Sequence, residues 1–276
     1  MAALTTQITD ALFTYSIVVA DNDSDESAHP VVKEFTCTGP TPVTYCVEPI
    51  KNIALVRNKA IEFAEGECIA FIDDDECPAQ DWLLSLFRAY KQSGADGILG
   101  PVKPYFESEP PKWVIKGRFF ERPDHDNGYQ LKWAECRTGN VLFRRDILEG
   151  LETPFRREFN SAGEDMDFFR RLINKGCVFL WRRDAIVYES VPPQRCRRAF
   201  LLKRALLRGS NFPKHPVDRA KSIIKSVIAV PLYALALVVL LGFGQHVMLK
   251  YLIKLLDHSS RLLAFAGVIS TNEREV

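Results

Sequence analysis

The chain has 276 residues, 47% hydrophobic and 26% charged, which excludes a disordered chain and suits one sizeable α/β domain with a smaller appendage. Its formal net charge of +1 hides an asymmetry: residues 1–194 hold 22 Lys and Arg against 31 Asp and Glu, whereas residues 195–225 hold 10 against one. Seven cysteines, at 37, 46, 68, 77, 136, 177 and 196, form no CxxC pair and no metal-ligand spacing with the five histidines, so they argue against a zinc module and for reduced thiols.

Met1 to Asp10 has neither the basic start nor the apolar core of a secretory signal, so the body of the protein is expected in the cytosol. Tyr15 to Ala20 is rich in β-branched residues and stops at the polar turn cluster Asp21 to Asp25, which predicts a strand ending in acids. Residues 51–65 place apolar side chains at helical spacing, with Gly66 as the expected C-cap. The short apolar run Ile69 to Ile72 then suits a strand buried on both faces. Four acids, Asp73, Asp74, Asp75 and Glu76, follow it directly.

Ligands of open α/β sheets bind beyond the carboxyl ends of the strands, and clustered carboxylates raise one another's pKa unless a cation or donors neutralise them. Oxygen ligands favour Mg2+ or Mn2+, commonly held by one or two carboxylates plus substrate phosphates. Capping of the next helix, near Asp81 and Trp82, would account for one acid but not for four. Trp82 to Gln92 is a predicted amphipathic helix closed by Ser93-Gly94, and Gly97 to Val102 a further strand, so strand and helix alternate as in a parallel sheet.

Residues 103–138 break that rhythm with four prolines and two glycines among seven aromatic rings, Trp113 and Trp133 included. A segment of this kind suits an acceptor-binding flap, a satellite apolar cluster covering the sheet, or both, since the two readings do not exclude each other. Gly139 to Phe143 resumes a strand, and Gly163-Glu164-Asp165 opens a helix through Asn174, where the acid pair either caps the helix or supplies a general base.

Residues 226–249 carry no Lys, Arg, Asp or Glu. That length crosses ~30 Å of hydrocarbon as a helix; the alternative is a buried core helix, to which Pro231 lends weight. Ten basic residues upstream, among them Lys214, Arg219, Lys221 and Lys225, favour a membrane with its cytosolic face at this collar. Val247 to Ile269 is amphipathic, and the number of crossings stays open.

Taken in order, Ile17 to Asn22, Arg57-Asn58-Lys59-Ala60, Phe71 to Glu76, Thr138-Gly139-Asn140 and Gly163-Glu164-Asp165 resemble the family 2 glycosyltransferases of the GT-A fold, over residues ~13–200. The resemblance implies a GT-A-like, Rossmann-like, mostly parallel sheet flanked by helices, followed by a C-terminal membrane-associated helical region. It implies inverting transfer of a sugar from a nucleotide-diphosphate sugar to a glycan or lipid-linked acceptor, with Mg2+ or Mn2+ on the diphosphate and no nucleic acid. Asp21 would contact the nucleobase, Arg57 would steady the nucleotide, and Asp73 and Asp74 would face the donor. Asp73 and Asp75 would form the DxD pair, Asp75 on the metal. Asp165 would be the base with Glu164 beside it, and Trp133, Asn140 and Arg197 are candidate acceptor or diphosphate contacts.

Gln194 to Arg197 also echoes the QxxR element of processive synthases, but Arg198 stands where those carry Trp, which argues against polymer extrusion. The family's first strand has no counterpart upstream of residues 2–11, which read as the tail of its first helix, so an N-terminally incomplete domain is expected. The expected organisation is a catalytic domain over 1–194, a basic amphipathic collar over 195–225 and a membrane-associated helical segment over 226–276, on the cytosolic face of a bacterial inner membrane. The rival readings are a metal-dependent nucleotidyltransferase and an inactive membrane-bound remnant.

Overall fold

The computed structural model describes residues 1–36, 39–159, 163–211 and 219–268; Cys37, Lys214 and the chain from Ile269 onward lie outside them. Two compact units are formed, Met1–Lys103 with Arg122–Glu189, and Pro104–Glu121 with Ser190–Val276.

The first unit begins with α1 (Ala2–Thr5), far shorter than the helical tail expected over residues 2–11: the backbone leaves helical geometry at Thr6, and Asp10 and Ala11 further on take positive φ values. β1 (Ile17–Asp21) and β2 (Val43–Val47) pair in parallel, linked through α2 (His29–Thr36). Asn52 then caps α3 (Ile53–Phe63), its Oδ1 accepting from the backbone N–H groups of Ala54 and Leu55. This helix closes at Ala64 in extended geometry, so Gly66 is not its C-cap.

Next come β3 (Cys68–Ile72), the short β4 (Glu76–Pro78) and α4 (Trp82–Ser93), which ends on left-handed Gly94. The strand expected over 97–102 is two strands, β5 (Gly97–Leu99) and β6 (Val102–Phe106), broken at Gly100-Pro101. A Cβ on Gly100 would collide with Ala185 and Asn140, so the backbone there is fixed by close approach. After α5 (Lys112–Gly117) come β7 (Asn140–Arg144), α6 (Glu164–Asn174), β8 (Phe179–Trp181) and β9 (Val187–Val191).

The main sheet has the order β3-β7-β5-β8; β3, β5 and β8 share one direction and β7 runs against them. The β1–β2 pair is a separate sheet, and β4 pairs with β9 in a third. Alternation along the strands sorts the main core into two layers. Val141, Phe143 and Leu99 join Ala54 and Ile61 of α3 and Phe168, Phe169 and Leu172 of α6 on one face. Leu142 and Ile98 join Trp82, Leu83 and Leu86 of α4 on the other. Helices on both faces of a sheet make the α/β layering that the sequence pattern implies.

In the second unit, Val114, Val191 and Cys196 form a small core with Phe106, Trp113 and Phe120. Phe106 meets Phe120 edge-on at 5.8 Å, and Trp113 meets Phe119 at 5.5 Å. These rings of the 103–138 segment therefore form the satellite cluster of the two readings. The unit continues with α7 (Arg198–Asn211), α8 (Arg219–Val239) and α9 (Gln245–Phe265). Among the described residues, α8 is the one helix long and apolar enough to cross a membrane.

Candidate active site

β3 ends at Ile72, and the acids that follow occupy the turn into β4. They do not cap a helix: α4 starts six residues beyond Glu76, and its own Asp81 makes no capping bond. The β3–β7 register sets Ile72 opposite Asn140, so Gly139 arrives beside Asp73. A Cβ on Gly139 would lie 2.8 Å from Glu76 Oε1 and 2.9 Å from Asp73 Oδ2, so a side chain there would have to push the two carboxyls aside.

Arg57 joins this tip to the start of α6. Its guanidinium sits 5.7 Å over the Phe155 ring, pairs with Asp73 at 3.5 Å, and donates a short hydrogen bond to Glu164. The Arg57 and Glu164 side chains are 12% and 7% exposed, so this is a buried ion pair, with Asp73 at its wetter edge. Burial pushes the Glu164 carboxyl up from its ordinary range, helped by the charge of Asp165 and opposed by Arg57. Glu164 Oε2 has no partner among the described residues.

Asp165 stands next to it but is more accessible. Its Oδ1 accepts from the Met166 N–H at 2.7 Å, and Oδ2 lies 3.7 Å from Arg137 Nε. Burial likewise raises the Asp73 carboxyl, with Asp75 and Asp74 adding to the rise and Arg57 opposing it. Asp74 and Asp75 are exposed at the tip.

Glu76 behaves differently from the other three acids. Its Oε2 accepts the Asp73 N–H at 3.1 Å, while Oε1 is buried with no partner among the described residues. Burial, then the charge of Asp73, carries its pKa from an ordinary 4.5 to about 8. The folded protein therefore holds a proton that the unfolded chain releases between these two values, and stability falls as pH rises through that window. In EDTA, the unfolding free energy should decline by a few kcal/mol between about pH 5 and 8, and Glu76→Gln should flatten the curve. A wild-type curve already flat over that interval would contradict the assignment.

Other expected site residues have structural duties. Asp21 accepts from Tyr45 Oη at 2.8 Å and from the Asp23 and Ala28 N–H groups, holding the loop after β1. Asn22 bridges to Glu48, Ile50 and Asn52. Asn140, expected as an acceptor or diphosphate contact, is 2% exposed. It accepts from Trp82 Nε1 and donates to the Pro101 and Ala185 carbonyls, so it locks the core and cannot reach a ligand. Trp133 sits on a single 3-10 turn, half-buried against the main core. Arg197 belongs to the second unit and is exposed.

Two residues escaped sequence reading. Arg137, two residues before Gly139, faces Asp165; a cation just upstream of the Thr138-Gly139-Asn140 run was the available signal. Buried Asp167, one turn into α6, is bound by Arg171 at 2.8 Å with Arg156 at 3.6 Å, and nothing in the sequence separates it from Asp165.

Among the described residues no three His, Cys, Asp or Glu side chains converge as a metal cage. The accessible Asp73 and Asp75 carboxylates, beside a buried, unsatisfied Glu76 oxygen, still fit a cation that takes its remaining ligands from phosphate and water. The described cysteines are unpaired with one another, and burial raises the thiols of five of them.

The family described as Glycosyl transferase family 2 matches residues 3–151. The succinoglycan biosynthesis protein ExoM of Rhizobium meliloti (strain 1021) is 32% identical over 211 residues, which cover 75% of this chain and 67% of that protein. Chondroitin synthase of Pasteurella multocida (strain Pm70) is 25% identical over 225 residues, 70% of this chain but 23% of that protein. The chain spans 55% of the Haloferax volcanii glycosyltransferase AglE, which is 24% identical. Among solved structures, S. aureus TarS 1-349 in complex with UDP superposes with a TM-score of 0.53 at 15% identity, covering 96% of this chain and 86% of that one. The same protein in complex with UDP-GlcNAc gives 0.52 at 16% identity, over 84% and 67% of the two chains. At such identities the likeness is one of fold.

Proposed function

The chain belongs to glycosyl transferase family 2, and on that premise we propose that it moves a sugar from a nucleotide-diphosphate sugar to a glycan or lipid-linked acceptor in cell-surface polysaccharide or glycolipid synthesis. The observation that carries this reading is the convergence, through Arg57, of the β3 acids with the Glu164-Asp165 start of α6. That convergence supports a donor seat with a base for the acceptor beside it.

In the proposed reaction the acceptor hydroxyl oxygen forms a bond to the anomeric carbon while the bond from that carbon to the diphosphate oxygen breaks. The acceptor proton passes to Asp165, and the nucleoside diphosphate leaves. One displacement inverts the anomeric centre. Asp165 is the better base of the pair because Glu164 is buried and already held by Arg57, whereas Asp165 is more accessible and its nearest cation, Arg137, stands off at 3.7 Å. Asp73 and Asp75 would hold Mg2+ or Mn2+, which when bound neutralises charge developing on the departing diphosphate. Arg57 fixes Asp73 at the near edge of that seat, and Gly139 leaves the room the seat needs.

The ExoM and chondroitin synthase names support a role in polysaccharide synthesis, and the UDP and UDP-GlcNAc complexes of TarS support a nucleotide-sugar donor. The apolar α8 behind a basic stretch supports attachment to a membrane, with the catalytic unit on the cytosolic face of a bacterial inner membrane.

The full chain should be incubated with a panel of sugar nucleotides, Mn2+ and a polar-lipid extract, and the released phosphates identified. Release of a nucleoside diphosphate from one donor is the expected result. Release of a sugar 1-phosphate would point to nucleotidyl transfer instead, and no release from any donor would favour an inactive remnant.

A further inference from the structure

α8 passes every test of length and hydropathy for a membrane span, yet the packing of the second unit argues against a crossing. α8 and α9 run antiparallel along their length: Ser226 Oγ lies 2.9 Å from His258 Nδ1, Tyr233 meets Tyr251 at 5.9 Å, and the chain turns at Leu240 to Gly244. α7 lies along α9 in the same direction as that helix. Arg198 donates to Gln245 at 2.5 Å near the turn, and Arg208 to Asp257 at 3.0 Å near the other end. Gly209 packs so tightly on α9 that a Cβ there would collide with Ser260 and Asp257.

If α8 crossed a bilayer, α9 and α7 would have to cross with it at the same depths. That would carry Lys250, Lys254, Asp257, Lys203 and Arg204 into or beside hydrocarbon, a placement that charged side chains avoid. Lys254 shows the depth concerned, since its Nζ sits 5.6 Å from the Tyr233 ring, well inside the length of α8.

The outward face of α8 is instead a continuous apolar surface. Val227, Ile228, Leu232, Leu235, Val238 and Val239 are 55% to 67% exposed, and the helix carries no charge after Lys225. Lys221 and Lys225 are exposed on the first turns of the same helix. A long apolar face with cations at its flank complements anionic headgroups over an acyl layer.

We propose that α8 lies flat in the headgroup boundary of an anionic bilayer, as an in-plane anchor that does not cross. This deepens the membrane attachment proposed above and rests on it.

The full chain should be added to preformed sealed vesicles of phosphatidylcholine alone or with phosphatidylglycerol, and binding read by flotation. Wild type should float with the anionic vesicles and bind neutral ones roughly tenfold more weakly or worse. The triple change Leu232→Gln, Leu235→Gln, Val238→Thr should stay unbound while melting as wild type does, since these side chains are mostly exposed. In Phe243→Cys, the thiol at the turn should react with an impermeant maleimide added outside the vesicles, above the wild-type background. A thiol protected until detergent is added would mean that α8 crosses, overturning the in-plane geometry but not the attachment. Wild type failing to float on any vesicle, the triple variant floating normally, or a lipid-free dimer abolished by the triple change would each overturn the membrane as occupant of this face.

Discussion

Asp165→Asn should lower turnover by about 10²- to 10⁴-fold, the usual contribution of a positioned general base, and leave donor affinity close to wild type. The substitution keeps the size of the side chain, and its carbonyl oxygen can still accept the Met166 N–H bond, so the first turn of α6 should be undisturbed. What it removes is the group proposed to take the acceptor proton. Glu164 is not a ready substitute, because its carboxylate is buried and bound to Arg57. Steady-state rates together with the donor Kd separate the outcomes: near-normal turnover would refute the role, and loss of donor binding in step with turnover would make Asp165 a donor contact instead.

Arg57→Met should be the costliest single change to the stability of the site. Removing one partner of a buried ion pair leaves the other charged and uncompensated, which typically costs about 3–5 kcal/mol. Asp73 would lose a neighbour too, but it is 42% exposed and water can replace the contact. The loss should depend on pH with a definite sign. Without Arg57 the Glu164 carboxyl rises further above its ordinary 4.5, so the folded state holds a proton that the unfolded chain releases. The variant's deficit is then small at acid pH and grows as pH rises from the wild-type Glu164 carboxyl's folded pKa to the variant's higher one. Adding Glu164→Gln to Arg57→Met should recover most of the stability at pH 8. Urea unfolding at several pH values measures this directly, and a deficit that is constant with pH, or absent at pH 8, would remove Arg57 from the centre of the site.

The strand-and-acid junction was legible in the sequence because helix capping, the main competing use of acids after an apolar run, employs one carboxylate and leaves three without a duty. The helices α3, α4 and α6 were legible from their periodicity, and Gly94 marked the end of α4. Partnerships between distant residues were not legible. Arg57 and Glu164 are 107 positions apart, and no local pattern joins them. Asn140 reads as a surface contact in a short polar motif, yet its bonds to Trp82, Pro101 and Ala185 can be found only once β5, β7 and α4 are assembled.

The direction of β7 was also hidden, because a fully apolar strand shows the same pattern whichever way it runs. β8 and β9 were missed because three to five residues between turns give periodicity too little to work on. The four acids looked equivalent in sequence, and register separated them: opposite β9 and beside Gly139, Glu76 turns inward while Asp74 and Asp75 stay in water. In the C-terminal region, composition identified the apolar helix, but the antiparallel return of α9 alone revealed which charges lie beside it.

The central claim is that the acidic tip after β3 holds a nucleotide diphosphate through a divalent cation. Titration calorimetry of nucleoside diphosphates with Mn2+ or with EDTA, on wild type and on Asp75→Asn, tests it most directly. One diphosphate should bind wild type only when Mn2+ is present, and Asp75→Asn should abolish that dependence along with most of the affinity. Equal affinity in Mn2+ and EDTA, or binding untouched by Asp75→Asn, would contradict the account.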